Sequence, residues 1–355
     1  MPALRAVLSA VATFLVVAEV VCRLLPVSTA TETDYRRDPL IRTYPAHHRW
    51  VTSTGWDLRR PQWMAANNAG FAAAHDFSFN PQAIALIGDS YVEASMLKTS
   101  ERLAHRLEMV LGGQRPVYAM GSPGTSLLDY AERIRWARQH YGVRDVVLFV
   151  EASDVLQSYC GSGNVEGVCL DAATGEVRTS TLPPASDAKR WLRQSAFAQY
   201  LVSQLRFDPG RIWQQVLAQS RAGHAPKDVR RPDGPQRDPK RIDAVNQVLQ
   251  AFLARTDRQP PGRLIMVLDG RRGVARPGRA WPAEERKLVA QGLRAAGAVV
   301  VDLEPVFAAH DATSALRLDI APNDAHLNAL GLDLVAKATA AAMAGPGVKT
   351  AVSER

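Results

Sequence analysis

The sequence predicts an α/β protein built around a parallel sheet, and three observations carry that expectation. Short, nearly uninterrupted apolar runs recur along the chain (Ala83 to Ile87, Pro116 to Met120, Asp145 to Val150, Leu264 to Leu268, Val299 to Val301), as strands buried on both faces require. Stretches of helical period lie between them, which is the alternation of βαβ units. The first run also stops abruptly at Gly88-Asp89-Ser90, a strand-to-helix turn of the kind found at the carboxyl edge of such sheets. With 355 residues, the chain has room for one large α/β domain carrying an insertion, or for two modest domains.

Residues 6 to 25 form an apolar run about long enough to cross a bilayer. Glu19 breaks it and Arg23 closes it, at the i, i+4 spacing where the two side chains can pair. A buried helix of a soluble protein has the same composition, but an apolar segment at the amino terminus followed by polar sequence reads as a signal peptide or a signal anchor. Ser28-Thr29-Ala30 supplies small residues for cleavage, but the run is long for a signal peptide, so residues 1–30 are expected to form an uncleaved anchor. Charge does not orient it: Arg5 precedes the span, Arg23, Arg36, Arg37 and Arg42 follow it, and a long carboxyl-terminal domain translocates despite such charges. Residues 31–82, rich in Arg, Pro, Trp and His without a clear period, read as an extended arm with a turn at Asn67-Asn68-Ala69-Gly70-Phe71. His47, His48 and His75 are too isolated to argue for metal.

After Ser90, apolar residues at helical spacing (Val92, Leu97, Leu103, Leu107, Val110) predict a helix over Tyr91 to Leu111. Ser90 then sits beyond a strand end and at a helix start, where free backbone N–H groups can stabilise a developing oxyanion. Asp89-Ser90 also suits a plain helix cap. The second strand is followed by the turn Gly121 to Ser126 and a helix over Leu127 to His140. Gly124 can bring a backbone N–H against a ligand with no side chain in the way, which makes it an oxyanion-hole candidate; a tight turn needs the same glycine. Glu151-Ala152-Ser153-Asp154, just past the third strand, faces the same edge as Ser90.

The α/β rhythm then stops. Residues 155–260 read as a mostly helical insertion over the active edge, with amphipathic helices near 187 to 206, 209 to 221 and 239 to 257 and a linker from His224 to Pro239. Within it, Cys160 and Cys169 flank a small glycine loop; a disulfide in an oxidising compartment fits this pair better than two unrelated thiols. After the fourth strand come a Gly/Arg loop with Arg271 and Arg272, a helix over Pro282 to Ala296 and the fifth strand. Asp324-Ala325-His326 precedes an Ala-rich helix over 332 to 344, and residues 346–355 read as a frayed tail.

The net charge of +8 comes mostly from scattered arginine. No Lys/Arg block is interleaved with aromatics, so nothing points to nucleic acid; a polyanionic surface or glycan is the partner class that such a charge suits. Composition excludes disorder.

Ser90, Asp324 and His326 fall on one edge of the predicted sheet, where His326 can take the serine proton and Asp324 can hold the imidazole. With ALIGDSYVEA around Ser90, YAMGSPGTS around Gly124, FVEASDV at the third strand end and DAHLNALG around His326, the chain resembles the SGNH/GDSL hydrolase superfamily over roughly residues 65 to 345. The anchor with its acidic residue and arginine, and an Asn-x-Gly-Phe segment upstream, resemble the membrane-anchored bacterial branch of that superfamily.

The resemblance implies a flavodoxin-like three-layer α/β/α sandwich with five parallel strands, here from residues 83–154 and 261–345. It implies a bacterial inner-membrane protein with a single span and its catalytic domain facing the periplasm. The expected chemistry is hydrolysis or transfer of acyl esters, O-acetyl esters foremost, on envelope or exported polysaccharide, with an acylated glycan as substrate and a membrane-bound acyltransferase as a candidate partner. Ser90, Gly124 and the third-block position supply the oxyanion donors; no metal or organic cofactor is implied. At that third position the family has an Asn, and this chain has Ser153, whose hydroxyl reaches less far. The acid lies two residues before His326 rather than three. The rival expectation is an SGNH-fold protein with little or no catalysis that binds glycan or assists polysaccharide assembly.

Overall fold

The computed structural model describes residues 2–29, 36–38, 40–162, 167–180, 186–205, 239–256, 262–272, 281–321 and 324–345. The helix expected over 209 to 221, the linker from His224 and the tail lie outside these residues. The elements run α1 (Pro2–Leu24), β1 (Arg36–Asp38), β2 (Ile41–Thr43), β3 (Arg49–Thr54), β4 (Arg59–Ala65), β5 (Ile84–Gly88), α2 (Ser90–Glu93) and α3 (Leu103–Val110). Next come β6 (Val117–Gly121), α4 (Leu127–Tyr141), β7 (Asp145–Val150), α5 (Ala152–Leu156), β8 (Gly167–Leu170), β9 (Val177–Ser180), α6 (Asp187–Gln194) and α7 (Ala196–Gln199), which continues as a π turn over Tyr200–Gln204. The remainder is α8 (Pro239–Thr256), β10 (Leu264–Leu268), α9 (Ala283–Ala295), β11 (Val299–Asp302), α10 (Glu304–Thr313), β12 (Asp319–Ala321), β13 (Asp324–Leu327) and α11 (Ala329–Ala344).

The five long-range strands form one parallel sheet in the order β11-β10-β7-β5-β6. Numbered by their own appearance this is 2-1-3-4-5, the flavodoxin-like winding, which reverses direction between β5 and β7. Because strand side chains alternate, the sheet feeds two cores. Ala85, Ile87, Leu148, Val150, Met266 and Leu268 pack on one face with α4, α8 and α9. Ile84, Leu86, Val147, Phe149, Ile265 and Val267 pack on the other with α3 and α11. Each fully buried side chain of this size contributes about 1.5–3 kcal/mol.

Two helical expectations change here. The span Tyr91 to Leu111 is not one helix: α2 ends after Glu93, Ala94 adopts a left-handed φ of 44°, and α3 starts only at Leu103. The break is held from within, since the Arg102 guanidinium donates to the Leu97 carbonyl at 3.0 Å. Helix α8, expected in the insertion, is the crossover between β7 and β10: Val245, Val248, Leu249 and Phe252 are buried in the core shared with α4 and α9. The residues between α5 and α6 add a strand pair, β8 with β9, that the helical reading of the insertion did not contain. Cys160 and Cys169 are joined in a disulfide.

The chain forms two compact units. One, from Tyr35–His48, Ala65–Pro183 and Arg237–Arg355, contains the sheet and its helices. The other, from Met1–Asp34, Arg49–Met64 and Pro184–Gln236, contains α1, the strands β3 and β4, and α6 with α7. Helix α1 is long and apolar enough to cross a membrane. The helix expected over 187 to 206 is broken at Ser195, whose hydroxyl caps α7 by accepting the Ala198 N–H at 3.1 Å.

Candidate active site

Strands β5 and β6 end at the same level, Gly88 opposite Gly121. The turn after β5 is tight because Gly121 lets α2 lie against it; a Cβ there would come within 2.3 Å of the Glu93 nitrogen. Asp89 caps α2 by accepting the Tyr91 N–H at 2.8 Å, which leaves Ser90 as the first helical residue. Its hydroxyl is half-buried and lies 2.9 Å from His326 Nε2.

Asp324 and His326 come from β13, which pairs antiparallel with β12. On a strand, residues two apart share a face. Ala325 and Leu327 are buried while Asp324 and His326 point together to the more open side, with His326 Nδ1 2.6 Å from Asp324 Oδ1. This is why a spacing of two suffices: the acid reaches the imidazole across one pleat. The carboxylate only accepts, so Nδ1 carries the proton and Nε2 is left to accept from the Ser90 hydroxyl.

The carbonyl between the pair is anchored from two sides. Ala325 O accepts from Tyr91 Oη at 3.1 Å and from Arg272 Nη2 at 2.8 Å. Arg272, in the Gly/Arg loop after β10, is a buried hub that also pairs with Asp269 and, at 2.8 Å, with Asp319. Burial pushes Asp269 up to about 6, against the pull of Arg272. The Tyr91 ring lies between the Phe149 ring, stacked at 5.5 Å, and the imidazole, at 4.7 Å. A second buried arginine, Arg133, donates to the carbonyls of Gly88 and Met120 at 2.6 Å each and to the Thr125 hydroxyl. It ties the serine turn to the glycine turn, where Gly124 has a φ of 70° that favours glycine.

The third strand end is different in kind. The Ser153 hydroxyl donates to the Glu151 carboxylate rather than standing free. Asp154 is fully buried, and its Oδ2 accepts the Glu151 N–H at 2.9 Å. Asp89, Glu151 and Asp154 each place one carboxylate oxygen within 4.8 Å of the others. Burial pushes Asp89 up to about 6, with the Glu151 charge adding to it, and pushes Asp154 well above the usual range, with the Asp89 and Glu151 charges adding there. Among the described residues this is the one group that could hold a cation, but raised carboxyl pKa values favour shared protons equally well. The sequence reading did not find this cluster, nor Tyr91, Arg133 and the anchoring role of Arg272. The adjacency of Asp89 and Ser90 to a strand end, and of Asp154 to another, is the only local signal it offered.

No family model and no curated protein matches the chain. Among solved structures it is similar to LAE5, an alpha/beta hydrolase enzyme from the metagenome of Lake Arreo, at 13% identity over 76% of this chain and 97% of that one, with a TM-score of 0.39. It is similar to a member of the lipolytic protein G-D-S-L family from Veillonella parvula at 13% identity, over 72% and 94% of the chains, with a TM-score of 0.39. TesA matches at 9% identity, over 74% and 98%, with a TM-score of 0.39. The strand order is that of the flavodoxin-like sandwich expected from the motifs, and Ser90 and the Asp324–His326 pair meet at its carboxyl edge.

Proposed function

We propose that the protein is a serine ester hydrolase or acyltransferase in which Ser90, His326 and Asp324 act as one proton-transfer unit. The observation that carries this is the continuous chain from Ser90 Oγ to His326 Nε2, 2.9 Å, and from His326 Nδ1 to Asp324, 2.6 Å. Ser90 Oγ attacks the acyl carbonyl and its proton passes to Nε2; collapse of the tetrahedral intermediate returns that proton to the leaving alcohol and leaves an acyl-serine. Water then completes hydrolysis, or a sugar hydroxyl completes transfer, with His326 again taking the proton. Backbone N–H groups of Ser90 and Gly124 are the assigned oxyanion donors, with Ser153 as a third where its hydroxyl is released from Glu151.

The substrate we assign is an acyl ester, O-acetyl foremost, of envelope or exported polysaccharide. We read α1 as an uncleaved single span of a bacterial inner membrane, with the catalytic unit in the periplasm; the Cys160–Cys169 disulfide supports an oxidising compartment. A membrane-bound acyltransferase is the partner that reading suggests. Incubation with an activated serine phosphonate followed by peptide mass spectrometry should label Ser90 alone, and an acetylated-glycan substrate should be turned over. The engagement of Ser153 by Glu151 favours a second reading, a glycan-binding or assembly protein with weak or no catalysis. Absence of both Ser90 labelling and ester turnover would replace the first reading with the second.

A further inference from the structure

The unit that carries α1 has an unusual surface. Apart from the span itself, it exposes Trp56 (67%), Trp63 (75%), Trp191 (72%), Leu192, Val202 and Leu205. Soluble surfaces rarely concentrate so many large apolar side chains without a partner. These groups belong to α6, the π turn after α7, and the β3–β4 pair, and each of those elements is fastened to the carboxyl-terminal half of α1 or to its neighbours.

The fastening is specific. Glu19, inside the apolar run, accepts from Ser195 Oγ at 2.7 Å and from the N–H groups of Ala196 at 3.1 Å and Phe197 at 3.0 Å. It thus caps the start of α7, while Arg23 donates to the Gln194 carbonyl at 3.1 Å. The Phe197 ring packs edge-on against Phe14 with centroids 6.0 Å apart. Tyr200 Oη donates to Trp56 O at 2.8 Å, and Gln204 Nε2 to Ser53 O at 3.1 Å, so the β3–β4 turn rides on the same segment. Leu58, Phe197 and Tyr200 pack around buried Cys22, Val27 and Ala196.

The 23 residues of α1 span about 34 Å at ~1.5 Å per residue, little more than a hydrocarbon core of about 30 Å. Phe14 lies five residues before Glu19 and nine before Arg23, which places it roughly 7 and 13 Å deeper along the helix. A side chain that packs on Phe14 therefore lies at lipid depth if α1 crosses the bilayer. Glu19, an acid costly to leave in hydrocarbon, has its carboxylate satisfied by Arg23 and by the α7 start. Lys189, Arg190 and Arg193 outnumber Asp187 in the sequence of α6, beside Trp191 and Leu192, the composition of a helix that lies in an anionic headgroup layer.

We propose that residues 187–205, together with the Trp56–Leu58 turn, form a collar seated in the headgroup layer of the bilayer that α1 crosses. The collar rests on the reading of α1 as a retained span and adds to it: the protein holds the membrane by an inserted interfacial segment as well as by a helix. Trp191 and Leu192 dip below the phosphates, Arg190 and Arg193 meet anionic headgroups, and Glu19 joins the span to the collar.

The full-length protein, with Cys22→Ser and a single environment-sensitive dye at Leu15→Cys, Trp56→Cys or Trp191→Cys, is reconstituted in vesicles of phosphatidylcholine and phosphatidylglycerol. Nitroxide on the lipid headgroup or mid-chain, and iodide in the water, then report depth. The expected result is mid-chain quenching at position 15, with strong headgroup quenching and severalfold protection from iodide at positions 56 and 191. Quenching at 15 with iodide access at 56 and 191 equal to that of free dye overturns the collar and leaves the span. No lipid quenching at 15, or loss of the span from the mature protein by intact mass, overturns the span reading and the collar with it. A second measurement guards against misfolding: the unlabelled protein's tryptophan emission should lose most of its quenching by brominated lipid in Trp56→Phe/Trp191→Phe, and retention of that quenching counts against the collar.

Discussion

The two ends that flank Ser90 in the sheet unit are built on opposite principles. On one side, Ser90, His326 and Asp324 form a relay in which every donor meets an acceptor and the strand carrying the acid and base is pinned through Ala325 by Tyr91 and Arg272. On the other, three carboxyl groups crowd within 4.8 Å at the ends of β5 and β7, and the Ser153 hydroxyl beside them is held by Glu151. The first arrangement suits proton transfer. The second places negative charge around a donor that is already occupied, an arrangement unsuited to stabilising a developing oxyanion. One edge of a sheet thus holds a fully paired hydrogen-bond chain and a crowded group of carboxylates side by side.

The comparison breaks first at the relay. Ser90→Ala, His326→Ala and the double variant should show nearly the same loss of acyl-ester turnover, about a thousandfold or more, because members of one unit act non-additively. Steady-state kinetics with additive losses would dissolve the unit. Asp324→Asn should lose less, by about tenfold to a hundredfold compared with Ser90→Ala, since the nucleophile and the base both remain.

Arg272→Met tests the pin. It leaves Asp269 and Asp319 without their buried cation, so thermal or denaturant unfolding should report a loss of about 3–5 kcal/mol. In the folded fraction kcat should fall more than KM rises, since the loss acts through the position of His326. Unchanged kcat and KM in the folded fraction would make the residue purely structural.

At the opposing end, Glu151→Gln should raise turnover by about tenfold, a part of what a full oxyanion donor supplies, by removing a charge and loosening its hold on Ser153. Ser153→Asn should act in the same direction. No gain in either variant would mean that this end does not face the oxyanion.

The smallest effect concerns pH and stability. Asp89 is pushed from the ordinary 3.8 up to about 6, first by burial and then by Glu151. A raised carboxyl pKa means that the native state keeps a proton that the unfolded chain has released. Its contribution is therefore fully present below the ordinary value and is lost as pH rises through about 6. Asp89→Asn should flatten the stability profile between those limits, and Glu151→Gln should shift its upper limit downward. Denaturant midpoints measured across that range check both.

Much of this was legible in the residues. The apolar runs that become β5, β6, β7, β10 and β11 announce strands buried on two faces, because burial is written in composition over a few consecutive positions. The same local reading singles out Ser90 after a strand, and Asp324 and His326 before a helix, and the structure brings these side chains within hydrogen-bond reach. The cysteine pair is visible too, as two thiols around a short loop.

Other features were beyond any local pattern. Helix α8 has the amphipathic period of any surface helix, and only its packing with α4 and α9 makes it a core crossover rather than part of an insertion. Arg272 looks like a loop arginine until Asp319 and Ala325, 47 and 53 residues away, close around it. Ser153 reads as a weak oxyanion donor, and its bond to Glu151 depends on the turn of α5. The sequence by itself determined which segments are buried and which residue types stand at strand ends, because hydrophobic period and turn chemistry act over neighbouring positions. Tertiary structure alone decided which charges share a low-dielectric space, because their partners are brought together by the winding of the sheet and not by adjacency in the chain.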